Sequence, residues 1–188
     1  GSLFKISLYA NDSSTANLAA SAAFQRISEL NKALSDYDEK SETWQLNADR
    51  TKANEKYTPG EDLWQAMLLS KELNELTYGA FDPTIGSLVR LWRRSRRRVE
   101  LPGHNDLVRS MQNSGFANIK IHHHEKTIQF LKDELMLDFG AIGKGIAADE
   151  AAKILKNHGI NIFMMDAGGD LLVGKAPPKQ KGWRIDMQ

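Results

Sequence analysis

Residues 137–155 read LDFGAIGKGIAADEAAKIL. Leu135 to Phe139 is an apolar run of strand length, and it opens into glycines at 140, 143 and 145. Beyond them Ile146, Ala151, Ile154 and Leu155 recur at helical spacing. The pattern predicts strand, glycine turn and helix over 135–158, with Gly159 where a helix end favours a left-handed residue. Glycines let backbone N–H groups approach an oxyanion closely. A helix start adds unsatisfied donors and a partial positive charge, and Lys144 adds a full one. A phosphate or pyrophosphate is the natural guest of such a turn. A plain tight turn with a solvated Lys144 fits the same pattern.

Two phosphate motifs can be tested against these residues. A P-loop needs G-x-x-x-x-G-K-[ST], but Gly140-Ala-Ile-Gly143-Lys144-Gly145 is too short and puts glycine where the hydroxyl belongs. Gly143 to Ala148 does satisfy G-x-G-x-x-A, and Asp166 ends the next strand where a dinucleotide fold places its ribose-binding acid. A nicotinamide-dependent dehydrogenase is therefore a competing reading. Against it, Ala167-Gly168-Gly169 forms a glycine hairpin where a crossover helix belongs, and the preceding 130 residues do not read as βαβ units.

Working outward, Leu3 to Tyr9 alternates apolar and polar residues as a strand does, and a helix capped by Ser13 or Ser14 follows, with Leu18, Ala22, Ala23, Ile27, Leu30 and Leu34 on one face. Ser35 to Glu42 (SDYDEKSE) reads as a polar loop. Thr58-Pro59-Gly60-Glu61 predicts a helix with Thr58 as cap and Pro59 in first position, ending near Gly79. Leu107, Val108 and Met111 suggest a short helix stopping at Gly115. Ala117–His123 and Thr127–Leu131 read as two strands joined by a turn, and Asn161–Met165 with Leu171–Gly174 as a hairpin. Hairpins mixed with isolated helices indicate α+β.

Other segments offer chemistry. In GAFDPTIG (79–86), Asp82 and Thr84 flank a proline, and ordinary turn bonding accounts for both. RRSRRR (93–98) has arginines without interleaved aromatics, which reads as a solvated loop rather than a nucleic-acid site. Three consecutive histidines (122–124) cannot converge on one metal from a strand and suit an exposed hairpin end. Asp138, Asp149, Asp166 and Asp170 flank the glycine turns, and carboxylates beside a phosphate point to Mg²⁺ between them.

Bulk properties narrow the field. The 188 residues are 41% hydrophobic, enough for a sizeable core, and the net charge of +1 gives no general case for nucleic acid. With no cysteine there is neither disulfide nor thiolate chemistry. No apolar run approaches the roughly 20 residues of a membrane-spanning helix. A start on Gly1-Ser2 without Met leaves room for a targeting segment already removed.

Taken in order, GSLFKISLY, SDYDEKSETWQLN, GAFDPTIGSLVRLW, LDFGAIGKGIAADEAAKIL and DAGGDLLVGK resemble the ApbE-type FAD:protein FMN transferases, also called thiamine biosynthesis lipoproteins. FDPT followed by G-x-L-V-x-L-W, and LD-x-G-x-I-x-KG-x-A-x-D, are specific to that family. The resemblance implies a T-fold-like α+β architecture with a mixed or antiparallel sheet, and an enzyme that uses Mg²⁺ to move FMN from FAD onto a Thr or Ser of a target flavoprotein, releasing AMP. It implies an extracytoplasmic, periplasmic or cell-envelope setting, with the membrane reached only through a removed N-terminal lipid anchor. By position, Tyr37 matches a residue packing on the flavin nucleotide, and Phe81, Asp82 and Thr84 match the segment lining the FAD site. Lys144 and Asp149 match FAD contacts, Gly168, Gly169 and Asp170 the adjoining hairpin, and Ala141 a carbonyl ligand of Mg²⁺. Family sequences run well past GWRID, so 1–188 reads as the N-terminal portion of one domain. Its C-terminal half would hold the remaining metal ligands, and this portion alone would be a poor catalyst. An FAD-binding protein without transferase activity, and an FAD pyrophosphatase yielding FMN and AMP, are the alternatives.

Overall fold

The computed structural model describes residues 2–49 and 53–185. The chain divides into two compact units, one made of Gly1–Leu30 and Ile142–Gln188, the other of Asn31–Ala141.

The first unit holds strand β1 (Phe4–Tyr9), most of helix α1 (Ser13–Leu34), helix α6 (Gly143–Asn157) and strands β5 (Ile162–Ala167) and β6 (Asp170–Val173). Its sheet has the order β1-β5-β6, with both pairings antiparallel. Ala19 and Ala23 of α1 meet Ala148, Ala151, Ala152 and Leu155 of α6 over Phe163, Met165 and Ala167 of β5 in one buried cluster. Alanines on the inner faces let helix backbones come close while losing almost no side-chain entropy. Arg26 then joins α1 to α6 through Glu150 at 3.2 Å. The β5–β6 hairpin turns on Gly168 (φ 64°) and Gly169 (φ 99°), with Ala167 paired to Asp170. Two successive positive φ values suit the right-handed strand twist, and glycine adopts them without strain. Because β5 is antiparallel to both neighbours, the parallel βαβ unit that a nicotinamide-dinucleotide fold requires does not form around Gly143–Ala148.

The second unit holds α2 (Glu42–Ala48), β2 (Lys56–Tyr57), α3 (Glu61–Leu76), α4 (Gly86–Arg98), α5 (His104–Gln112), β3 (Ile119–His122) and β4 (Thr127–Phe130). Its sheet, β2-β4-β3, is also antiparallel. The fold class is thus α+β, as expected. His123 and His124 lie exposed in the β3–β4 turn.

Four local expectations change. The segment 93–98 is not a loop: it is the second half of α4, whose buried Leu91 and Ser95 sit four residues apart. The polar stretch 35–42 has buried Ser35, Asp36 and Ser41, and Ser41 caps α2 by accepting the Trp44 N–H at 3.1 Å. Thr58 does not cap α3. Gly60 is the cap residue, and the Glu42 carboxylate accepts its N–H at 2.7 Å and the Tyr57 hydroxyl at 2.9 Å. Burial and that carboxylate push the Tyr57 phenol upward.

Residues 135–139 form no ladder strand beyond one bridge between Met136 and Ile85, although Leu135, Leu137 and Phe139 are buried. A side chain stands in for the neighbouring strand. Asn47, itself buried, donates to the Leu137 carbonyl at 2.8 Å and accepts the Leu137 N–H at 2.8 Å. Asp138 N–H then donates to the Pro83 carbonyl at 2.7 Å. The Met136 and Leu137 carbonyls and the Leu137 and Asp138 N–H groups thus find partners outside a ladder, the Met136 carbonyl accepting from Gly86 at 3.0 Å.

Candidate functional site

The FDPT turn is held by its own side chains. Asp82 accepts the Thr84 N–H at 2.8 Å and its hydroxyl at 2.6 Å through one oxygen, and the Phe116 N–H at 3.0 Å through the other. Thr84, fully buried, also accepts the Gly115 N–H at 2.7 Å. Its hydroxyl both donates and accepts, so Thr84 fixes the geometry of the turn. Phe81 is half-buried, its carbonyl accepting from Asn74 at 2.7 Å. Gly86 packs with no room for a side chain, since a Cβ there would stand 2.8 Å from the Met136 Cβ and carbonyl oxygen.

Within the same unit, Arg93 bridges two buried carboxylates. It donates to Asp36 through one guanidinium nitrogen and to Asp138 at 3.3 Å through another. Asp138 also accepts the Gly140 N–H at 2.7 Å. Burial holds the Asp138 carboxyl above its ordinary value, and the adjacent Asp36 charge adds to that push, while Gly140 and Arg93 oppose it. Tyr37, exposed, stands in the wall of a cavity of about 730 Å³ beside Trp44 and several arginines. The Ala141 carbonyl accepts no hydrogen bond from a described residue and is open to a further partner.

In the other unit, α6 begins as an anion site would. The N–H groups of Gly143, Lys144 and Gly145 meet no acceptor among the described residues, Ile142 offers no side-chain cap, and the first turn holds no acid. A Cβ added at Gly143 or Gly145 would meet open space. Lys144 reaches the hairpin, with its amine 2.8 Å from the Asp170 carboxylate and 3.4 Å from the Gly168 carbonyl. Asp166 turns inward on the hairpin and accepts the Gly169 N–H at 2.7 Å. Asp149 lies exposed further along α6, its neighbour being Lys153 rather than Lys144.

Lys144, Gly168 and Asp170 therefore come together, as do Asp82 and Thr84, while Asp149 joins neither set. Three of the aspartates that flank the glycine turns have local partners: Asp138 pairs with Arg93, Asp166 with Gly169, and Asp170 with Lys144. Among the described residues no three His, Asp or Glu side chains assemble as a metal set. The Arg93 bridge was hidden in the sequence by reading 93–98 as solvated. The absence of any helix breaker between Gly86 and Arg98 was the signal available for it.

Comparison with known proteins completes the site's description. The ApbE family model matches residues 1–188. The FAD:protein FMN transferase of Klebsiella pneumoniae (strain 342) is 27% identical over 133 residues, which cover 68% of this chain and 38% of that protein. The flavin transferase ApbE from Vibrio cholerae superposes with a TM-score of 0.82 at 25% identity, covering 98% of this chain and 60% of that one. The ApbE protein from Thermotoga maritima shares the fold with a TM-score of 0.85 at 23% identity, over 97% and 59% of the two chains. The chain spans 38–44% of the length of the first curated relatives it matches. With its two antiparallel sheets, its FDPT turn and its glycine-led α6, the chain belongs to the ApbE family.

Proposed function

We propose that the protein containing this chain transfers FMN from FAD to a Thr or Ser hydroxyl of a target flavoprotein. The acceptor oxygen attacks the FMN phosphorus, the phosphoanhydride bond breaks, AMP leaves and the hydroxyl proton passes to solvent or a base. The observation that carries this reading is the start of α6: free N–H groups, open glycines and Lys144 in a turn without an acid. Such a turn suits a pyrophosphate, and phosphoryl transfer depends chiefly on positioning and charge neutralisation. The names of the curated relatives support the same activity.

In this reading FAD is served by Lys144, which is ion-paired to Asp170 in the hairpin beside it, by Gly168, Gly169 and Asp149, and by Tyr37, Phe81, Asp82 and Thr84. Mg²⁺ would neutralise the charge developing on the transferred phosphate. In this chain the open Ala141 carbonyl would hold it. The setting we propose is extracytoplasmic.

The test is to incubate the complete protein with FAD, Mg²⁺ and a Thr-bearing flavoprotein domain. A covalent mass increase equal to one FMN, with AMP released, is expected. FMN and AMP without the adduct would replace transfer by hydrolysis, and preferential binding of NADH with FAD ignored would refute the flavin reading.

A further inference from the structure

Helix α4 carries arginines at 90, 93, 94 and 97, an i, i+3, i+4, i+7 series that lies on one helix face. Like charges at this spacing repel and weaken a helix unless anions meet them. Arg93 is met from within by Asp36 and Asp138. Arg90, Arg94 and Arg97 have no acceptor among the described residues. All of them line the cavity of about 730 Å³, where Arg109 of α5 is already engaged by Glu134 at 2.5 Å. The lining therefore presents unspent guanidinium charge, interrupted by the carboxylates of Asp106 and Glu134.

The chemistry of the lining selects among anionic partners. A nucleic-acid backbone carries uniform negative charge and would meet Asp106 as well as the arginines. A lipid surface is flat and would not reach a concave floor. A polypeptide of mixed charge can set its carboxylates against Arg90, Arg94 and Arg97 and an amide or amine against Asp106. We propose that this groove docks an acidic segment of a partner protein. Of the residues assigned to FAD, only Tyr37 stands in the wall.

The test is fluorescence anisotropy of a fluorescein-labelled Glu-rich peptide titrated with the full chain. Binding that weakens with salt is expected, with a loss of about tenfold or more for the double variant Arg94→Glu/Arg97→Glu. Arg96→Glu, outside the lining, should bind as the parent does. Circular dichroism checks the fold, and Arg94→Gln/Arg97→Gln serves if the charge-reversed pair does not fold. Four results would each overturn the proposal: no peptide binding, an equal loss with Arg96→Glu, stoichiometric displacement of the peptide by FAD, or tighter binding of single-stranded DNA or phosphatidylglycerol vesicles than of the peptide.

Discussion

Replacing Asn47 by Ala should destabilise the protein far more than the loss of one small polar side chain suggests. Asn47 is 1% exposed and exchanges two hydrogen bonds of 2.8 Å with the N–H and carbonyl of Leu137, which is 0% exposed. Without it, both backbone groups are left buried and unpaired. Each such group costs about 1–3 kcal/mol, so the pair predicts a loss of about 2–6 kcal/mol. Urea unfolding of the full chain measures this as a lower midpoint at unchanged m-value. Asn47→Asp adds a sharper criterion. Its ionised form can still accept the Leu137 N–H but cannot donate to the carbonyl, and it buries a charge. Its protonated form can do both. The Asp variant should therefore recover stability as pH falls through its carboxyl titration, whereas the Ala variant should show no such recovery relative to the parent. An Ala variant within about 0.5 kcal/mol of the parent would refute the argument that this side chain replaces a strand. An Asp variant with no pH response would do the same.

Other outcomes follow from the same geometry. Asp138 has its folded pKa raised above the ordinary 3.8, so its stabilising share is complete below that value and is lost as pH rises through the folded pKa. Asp138→Asn should accordingly gain stability relative to the parent as pH rises above 3.8 through the folded pKa, read by denaturation at each pH, and a slope of opposite sign would reject the assignment. Gly86→Ala forces a Cβ against the Met136 backbone and should cost about 1–3 kcal/mol in thermal or urea unfolding. Lys144→Ala should weaken FAD binding by the complete protein by about 1–3 kcal/mol in a titration, and an unchanged affinity removes Lys144 from the site. Asp170→Asn, which releases Lys144 from its ion pair, should leave FAD affinity equal or higher. A loss comparable to that of Lys144→Ala would make Asp170 a direct ligand instead.

Local pattern was enough for several elements of this protein. The alternation of Leu3–Tyr9, the apolar spacing of α1, the glycine-led start of α6 and the Gly168-Gly169 hairpin each depend on neighbours in sequence, and each element is present where expected, although Leu18 of α1 is exposed and Ala19 is buried in its place. The pairing partners were not legible. Only the folded chain puts β1 against β5, which excludes the dinucleotide reading that Gly143–Ala148 allowed. Likewise, burial at 135–139 was readable from apolar residues, but the partner of their backbone was not, because Asn47 lies 90 residues away. Arg93 followed the same rule: a charged run looks solvated until Asp36 and Asp138 arrive from other segments to fix one of its members. Periodicity reports which side of an element meets the core. Which acids, amides and backbone groups meet across that core is decided by tertiary packing, since desolvated polar groups must find partners wherever the chain brings them.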